Sequence, residues 1–228
     1  MTGRHTLHAG SVRLLGWRRI TTEELAAAVN QMKGKNNSQK PGGVSGRVLV
    51  LAISVLGKRL SQIYDNCMNT GRVSCCWKTA KLALIPKSGR RLDSPLAYRP
   101  ICLLGEVGKV FERVAANRLN RDLAQEDPNI SNRQFGFRVG RSTVDAINRV
   151  KSLAHAVVSQ GGVTLVVSTD IVNVFNFLPW DIIRKALHKH RVSMYLREVI
   201  GDHLSERTIM YTTERGSLAR RKINRGVP

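Results

Sequence analysis

Acidic residues are scarce in this chain. Sixteen Asp and Glu face 37 Lys and Arg, a formal charge of +21 over 228 residues. A globular chain tolerates such self-repulsion best when its partner is a polyanion, because each phosphate neutralised releases condensed counterions. Nucleic acid is the leading partner on that ground, and an anionic membrane surface the weaker one. Long apolar runs are missing as well. The longest, VLVLAISVL at 48–56, falls well short of the roughly 18–20 residues a membrane span requires. The N-terminal MTGRHTLHAG has no signal-peptide core. No Cys-x-x-Cys pair exists, and Cys67, Cys75, Cys76 and Cys102 are spaced too irregularly for zinc, so they read as free thiols in a reducing compartment. His188 and His190 fall on different faces of a helix and make no i, i+4 metal pair. Aromatics are only 5% of the chain, which leaves few platforms for stacking unpaired bases.

What is present is an ordered α/β pattern with a proper apolar fraction, 42%. The first nineteen residues are basic and aperiodic and predict a poorly ordered leader. Thr21 and Glu24 offer a capping box for a helix lined by Leu25, Val29 and Met32. A polar Gly/Pro/Asn-rich loop follows at 33–43. From Ser45 onward Val48, Leu51, Ala52, Val55, Leu56 and Ile63 recur at helical spacing. WKTAKLALIPK at 77–87 predicts a strand ended by Pro86, and Arg99 to Leu103 a second that completes a hairpin. Val107, Val110, Phe111, Val114 and Leu119 predict the longest helix, with Lys109, Arg113, Arg118 and Arg121 on its other face. A Gly-rich basic loop leads to a helix capped near Ser142 or Thr143. TLVVSTD at 164–170, a short β-branched apolar run after a Gly-Gly turn, predicts a buried strand ending at Asp170. A helix from about Pro179 to His190 is expected to turn Ile182, Ile183, Ala186 and Leu187 inward. Another runs from Met194 to His203, and RTIMYTT and SLARRKINR predict a terminal hairpin.

Five stretches carry a resemblance: PGGVSGRVL, LALIPKSG, YRPICLL, QFGFRVGRST and STDIVNVFNFLPW. In this order and spacing they resemble the fingers and first palm motif of reverse transcriptases of non-LTR (LINE-like) retrotransposons, insect elements especially. The likeness runs from about Ile20 to the last residue, and the final RGVP resembles the start of the family's next block. It implies an α/β, partial right-hand polymerase: largely helical fingers at 20–160 and the opening part of the palm at 161–228, stopping before the Asp-Asp motif. The activity it implies is RNA-directed DNA polymerisation on an RNA template and DNA primer with deoxynucleoside triphosphates, in nucleus and cytoplasm.

The resemblance also implies roles. Asp170 matches the metal ligand of the first palm motif, with the backbone carbonyl of Ile171 facing a second ion. Polymerases use two Mg²⁺ (or Mn²⁺) ions about 3.5–4 Å apart, so several carboxylates must converge. Magnesium takes oxygen ligands at about 2.0–2.1 Å. Phe175 matches the aromatic that floors the sugar pocket and excludes a 2′-hydroxyl. Lys87 and Arg99 match cations that hold the triphosphate, and Gln134, Arg138 and Arg141 match a template-contacting loop. The plainer alternatives are a buried capping Asp170 followed by a core Phe175, a solvated basic hairpin, and a basic turn before a helix cap. Three departures stand beside the matches. Val174 replaces the usual Ala, the early loop NNSQKPGG has lost its acid, and the sequence contains no Asp-Asp pair. One carboxylate does not build a two-metal site. The chain is therefore expected to be inactive alone, with a non-catalytic nucleic-acid-binding fragment or a decayed element as the alternatives.

Overall fold

The computed structural model describes residues 14, 16–32, 45–89, 91, 93–125, 130–171 and 173–226. The loop expected at 33–43 and most of the N-terminal leader lie outside them. Thr21 caps α1 (Thr22–Asn30) through the expected box, with the Glu24 carboxylate accepting from the Thr21 N–H and the Thr21 hydroxyl from the Glu24 N–H. Ser45 caps α2 (Gly46–Thr70), which ends at Gly71 with φ +68°. A left-handed residue satisfies the last carbonyls at little cost only where there is no Cβ. The hairpin follows as expected: β1 (Thr79–Pro86) pairs antiparallel with β2 (Tyr98–Leu103), from Lys81 opposite Leu103 to Pro86 opposite Tyr98.

After the hairpin come α3 (Glu106–Gln125), α4 (Thr143–Val158), the single turn α5 (Val174–Phe177), α6 (Trp180–Lys189) and α7 (Met194–Leu204). The terminal hairpin, β3 (Thr208–Thr212) and β4 (Leu218–Lys222), is also formed, and β3 runs parallel to β1. The result is an α/β fold with one four-stranded mixed sheet in the order β2-β1-β3-β4.

One apolar core gathers α1, α2, α3 and α7. Its centre is three rings, Tyr64, Trp77 and Phe111, with centroids 5.3–5.5 Å apart. Such tilted and edge-on contacts add to the area each ring buries. The Tyr64 hydroxyl donates to the Val107 carbonyl at 2.6 Å, so its polar end is satisfied. Gly108 lets Trp77 lie against α3: a Cβ there would stand 3.1 Å from the Trp77 Cβ and ring. Leu187, Val192, Tyr195, Leu196 and Val199 join the same cluster. The core thus crosses the boundary expected near residue 160.

Several expectations are corrected. The leader is not wholly loose, because Leu14 and Trp17 pack against the core and the Leu14 N–H donates to the Asn69 carbonyl. Arg118, expected on the face of α3 away from the apolar stripe, is buried. Its guanidinium meets the Glu24 carboxylate at 2.8 and 3.2 Å and also donates to the carbonyls of Arg18 and Arg19. The helical stripe of α2 exists but faces outward: Val48, Leu51, Val55, Leu56 and Ile63 are exposed, whereas Leu49, Leu60, Tyr64, Cys67 and Met68 are buried. Periodicity finds a helix but not which of two apolar arcs meets the core. Similarly, α6 buries Leu187 while Ile182 and Ala186 are exposed.

The strand expected at 164–170 is absent. Residues 162–170 carry no strand pairing and all are exposed, Val163 at 94% and Leu165 at 87%. Strand propensity expresses fit to a neighbouring strand and face, and neither is supplied by the described residues.

The Arg118–Glu24 pair generates a stability prediction. Burial pushes the Glu24 carboxyl up, but the hydrogen bond and charge of Arg118, with help from the Thr21 N–H and Arg121, leave it below its usual value. A lowered carboxyl contributes stability above the ordinary glutamate range and loses it as pH falls through its own value. Arg118→Ala leaves Glu24 with only the exposed Arg121 and the Thr21 N–H and frees the carbonyls of Arg18 and Arg19, and is expected to cost about 1–3 kcal/mol, read as a lowered thermal midpoint at pH 7. Glu24→Gln should flatten the loss of stability below about pH 4.5. An Arg118→Ala midpoint equal to that of the parent chain refutes the assignment.

Candidate nucleic-acid interface

The candidate site residues fall into three groups. The first is the β1–β2 hairpin. Its register sets Arg99 directly opposite Ile85 on an exposed stretch. Just beyond the strand, the Lys87 N–H donates to the Ala97 carbonyl at 2.7 Å and its ammonium to the Leu96 carbonyl at 2.9 Å. Lys87 therefore ties the hairpin loop. An ammonium has three donors, so two protons stay available for an anion.

The second group is the loop from Ile130 to Ser142. Here the side chains split in purpose. The Arg138 guanidinium turns back to the carbonyls of Ile130 (3.2 Å) and Ser131 (2.9 Å), bracing the loop. Gln134 donates to the Gly136 carbonyl at 3.2 Å. Arg141 is exposed and stacks over the Phe135 ring, 5.5 Å from its centroid, an arrangement that orients a guanidinium while leaving its edge open. Ser142 then caps α4 in a reciprocal box with Asp145. Of the three expected template residues, Arg141 is the open cation, whereas Gln134 and Arg138 make intraloop bonds.

The third group is Asp170 to Phe177. Asp170 and Ile171 are exposed at the end of the unpaired segment. Asn173, at φ +54°, starts α5, and Phe175 is 54% exposed. The alternative of a buried capping Asp170 with a core Phe175 is thereby excluded. The segment is held from its far end: the Gly226 N–H donates to the Leu178 carbonyl, Trp180 Nε1 donates to the Gly226 carbonyl at 2.8 Å, and Pro179 bridges Arg225. The second and third groups meet. Phe137 stands edge-on to Phe175 with centroids 6.1 Å apart at 80°, which places the basic loop against the expected sugar-pocket aromatic.

The donor set does not fit a pair of divalent ions. Among the described residues no three His, Cys, Asp or Glu side chains converge, and two-metal chemistry needs several carboxylates at one point.

Two further arrangements escaped the sequence reading. Lys78 is buried and paired with Asp202 at 2.8 Å, an acid that also accepts from the Val73 N–H. Arg207, 1% exposed, lies 2.6 Å from His203 Nε2, which in turn is 2.8 Å from Glu112 Oε1. Burial draws the Arg207 guanidinium below its usual value, against the opposing pull of Glu112. His203 and Arg207 are four residues apart across the end of α7, but Glu112 and Asp202 come from distant parts of the chain, and no local pattern announces such pairings.

A family model described as "Reverse transcriptase (RNA-dependent DNA polymerase)" matches residues 85–228. The probable RNA-directed DNA polymerase from transposon BS of Drosophila melanogaster is 33% identical over 131 residues, 58% of this chain and 14% of that protein. The Pol polyprotein of the type-1 retrotransposable element R1 of Bradysia coprophila is 27% identical over 210 residues, 92% of this chain and 20% of that one. The RNA-directed DNA polymerase from mobile element jockey of Drosophila melanogaster is 28% identical over 173 residues, 74% and 18%. This chain spans between 14% and 20% of the length of these relatives. With a family match over more than half its length, the chain belongs to the reverse transcriptase family, in the branch found in non-LTR retrotransposons.

Proposed function

We propose that this chain handles template and nucleotide phosphates for RNA-directed DNA synthesis, its partners being an RNA template, a DNA primer and deoxynucleoside triphosphates. The observation that carries the reading is the Phe137–Phe175 contact, which joins the basic loop of Arg141 to the short helix that begins four residues beyond Asp170. Lys87 and Arg99 on the hairpin supply cations suited to a triphosphate. Arg99 has the planar fork that grips phosphate oxygens in pairs, and Lys87 acts as a point charge. Phe175 presents an apolar face of the kind that a deoxyribose tolerates and a 2′-hydroxyl does not.

Magnesium enters this reading at one place. Asp170 and the carbonyl of Ile171 are the atoms that would face it, and the ion would supply charge neutralisation for the transferred phosphoryl group. With a single carboxylate at that position, the 228-residue chain by itself reads as a phosphate-binding unit without its own turnover.

Two expected outcomes test the proposal. In a primer-extension assay with Mg²⁺ or Mn²⁺, the chain alone should give no product above background on any template. Extension abolished by Asp170→Ala overturns the single-carboxylate reading. In fluorescence anisotropy with unrelated single-stranded oligonucleotides, the logarithm of affinity should fall with that of salt by about 0.7 per phosphate contacted. Arg141→Glu and Arg99→Glu should each weaken all sequences alike, since phosphate contacts carry no sequence information. A flat salt profile, or a preference for one sequence above about a hundredfold, which corresponds to about 2.7 kcal/mol, counts against it.

A further inference from the structure

A groove of about 500 Å³ opens where the end of α2 meets α6 and α7. Three guanidiniums line it, Arg72 from just beyond α2, Arg184 from α6 and Arg197 from α7, together with His188. None of these residues belongs to the five motif blocks. Two acids also line the groove, and their commitments differ. Asp202 is occupied by the Lys78 ammonium at 2.8 Å and the Val73 N–H at 2.6 Å. Glu198 alone is left against three cations. Arg184 does reach Asp181 at 3.1 Å, but an exposed pair of this kind is weak and yields readily to a better anion.

Arg197 is held in place. Its Nη1 contacts both ring nitrogens of His188, at 3.1 Å for Nε2. Its Nε is buried without a hydrogen-bond partner. A buried guanidinium donor without an acceptor costs free energy, and among the described residues no acid forms an ion pair with this cation. Further cations lie along α6 and just past its end, the exposed Lys185, Lys189 and Arg191. A single small anion would need only the cluster, whereas additional exposed cations on the same helix as Arg184 suit a chain of phosphates.

We infer that this groove is a second phosphate-binding site, taking the backbone of a polynucleotide strand. It shares with the proposed function only the premise of a polynucleotide partner and uses none of the same residues, so the two fail independently.

The test uses the full chain and a labelled single-stranded oligonucleotide. Arg72 and Arg184 are exposed, so Arg72→Glu/Arg184→Glu should keep the circular-dichroism spectrum and thermal midpoint of the parent. The double variant should lower affinity about tenfold at low salt and reduce the salt slope by about 1.4, the loss of two contacts. Glu198→Gln should instead tighten binding. Unchanged affinity and slope in the folded double variant overturn the inference, even where Arg141→Glu weakens binding. Inorganic triphosphate serves as competitor. Displacement only at concentrations that act through general ionic strength supports a polynucleotide, whereas saturable displacement lost in the double variant reassigns the groove to a small free anion and overturns it.

Discussion

The position of Trp77 is the constraint on which the rest of the molecule depends. Its ring is clamped between Tyr64 of α2 and Phe111 of α3, and β1 begins two residues later. Wherever the helices hold Trp77, the sheet must start. Because β1 is paired on both sides, that one anchor sets the place of β2 with Arg99 and of β3 with the terminal hairpin. The hairpin end in turn holds Leu178 and Trp180 through Gly226, and so limits where the Asp170–Phe177 segment can lie. Gly108 is part of the same constraint, since any side chain there would press on the indole.

Charge in this chain serves two distinct ends. A minority of the cations are consumed internally: Arg118 closes α1 onto α3 through Glu24, Lys78 fixes the α7 end through Asp202, and Arg207 sits beside His203 and Glu112. These pairs draw on several of the sixteen acids, which leaves the surface cations with few carboxylates to meet. Scarcity of acid is therefore what makes both basic faces available. It also explains why a cation count alone misjudges a residue such as Arg118, whose neighbours in sequence look like a solvated helix face.

Element types were largely legible because their signals are local. The Thr21–Glu24 box, the Ser142 cap, Pro86 at the strand end and the two hairpins all depend on residues within a few positions of one another, and all appear where the sequence places them. What was not legible was orientation. The α2 stripe from Val48 to Ile63 is as periodic as the buried face beside it, and only tertiary packing chooses between them. Site geometry divided in the same way: Arg141 is open, but Arg138 spends its donors on carbonyls of its own loop, a choice set by backbone shape and not by residue type.

The run from Val163 to Val167 shows the same limit in its sharpest form. Its residues favour a strand, yet a strand is stabilised by ladder bonds and cross-strand side-chain contacts, and the described residues offer this run neither. The neighbouring helix repeats the pattern: α4 has no buried residue, and Val144, Ile147, Val150 and Leu153 are exposed along it. Local signals suffice for α4 because a helix satisfies its own backbone within the segment, whereas an isolated strand has no such internal bonds. The helix consequently forms with an unpacked apolar face, and the strand does not form at all. Asp170 inherits that difference. Its position is governed less by the run that precedes it than by α5, Phe137 and the Gly226 contacts that follow, so the chemistry available at its carboxylate depends on the segment after it.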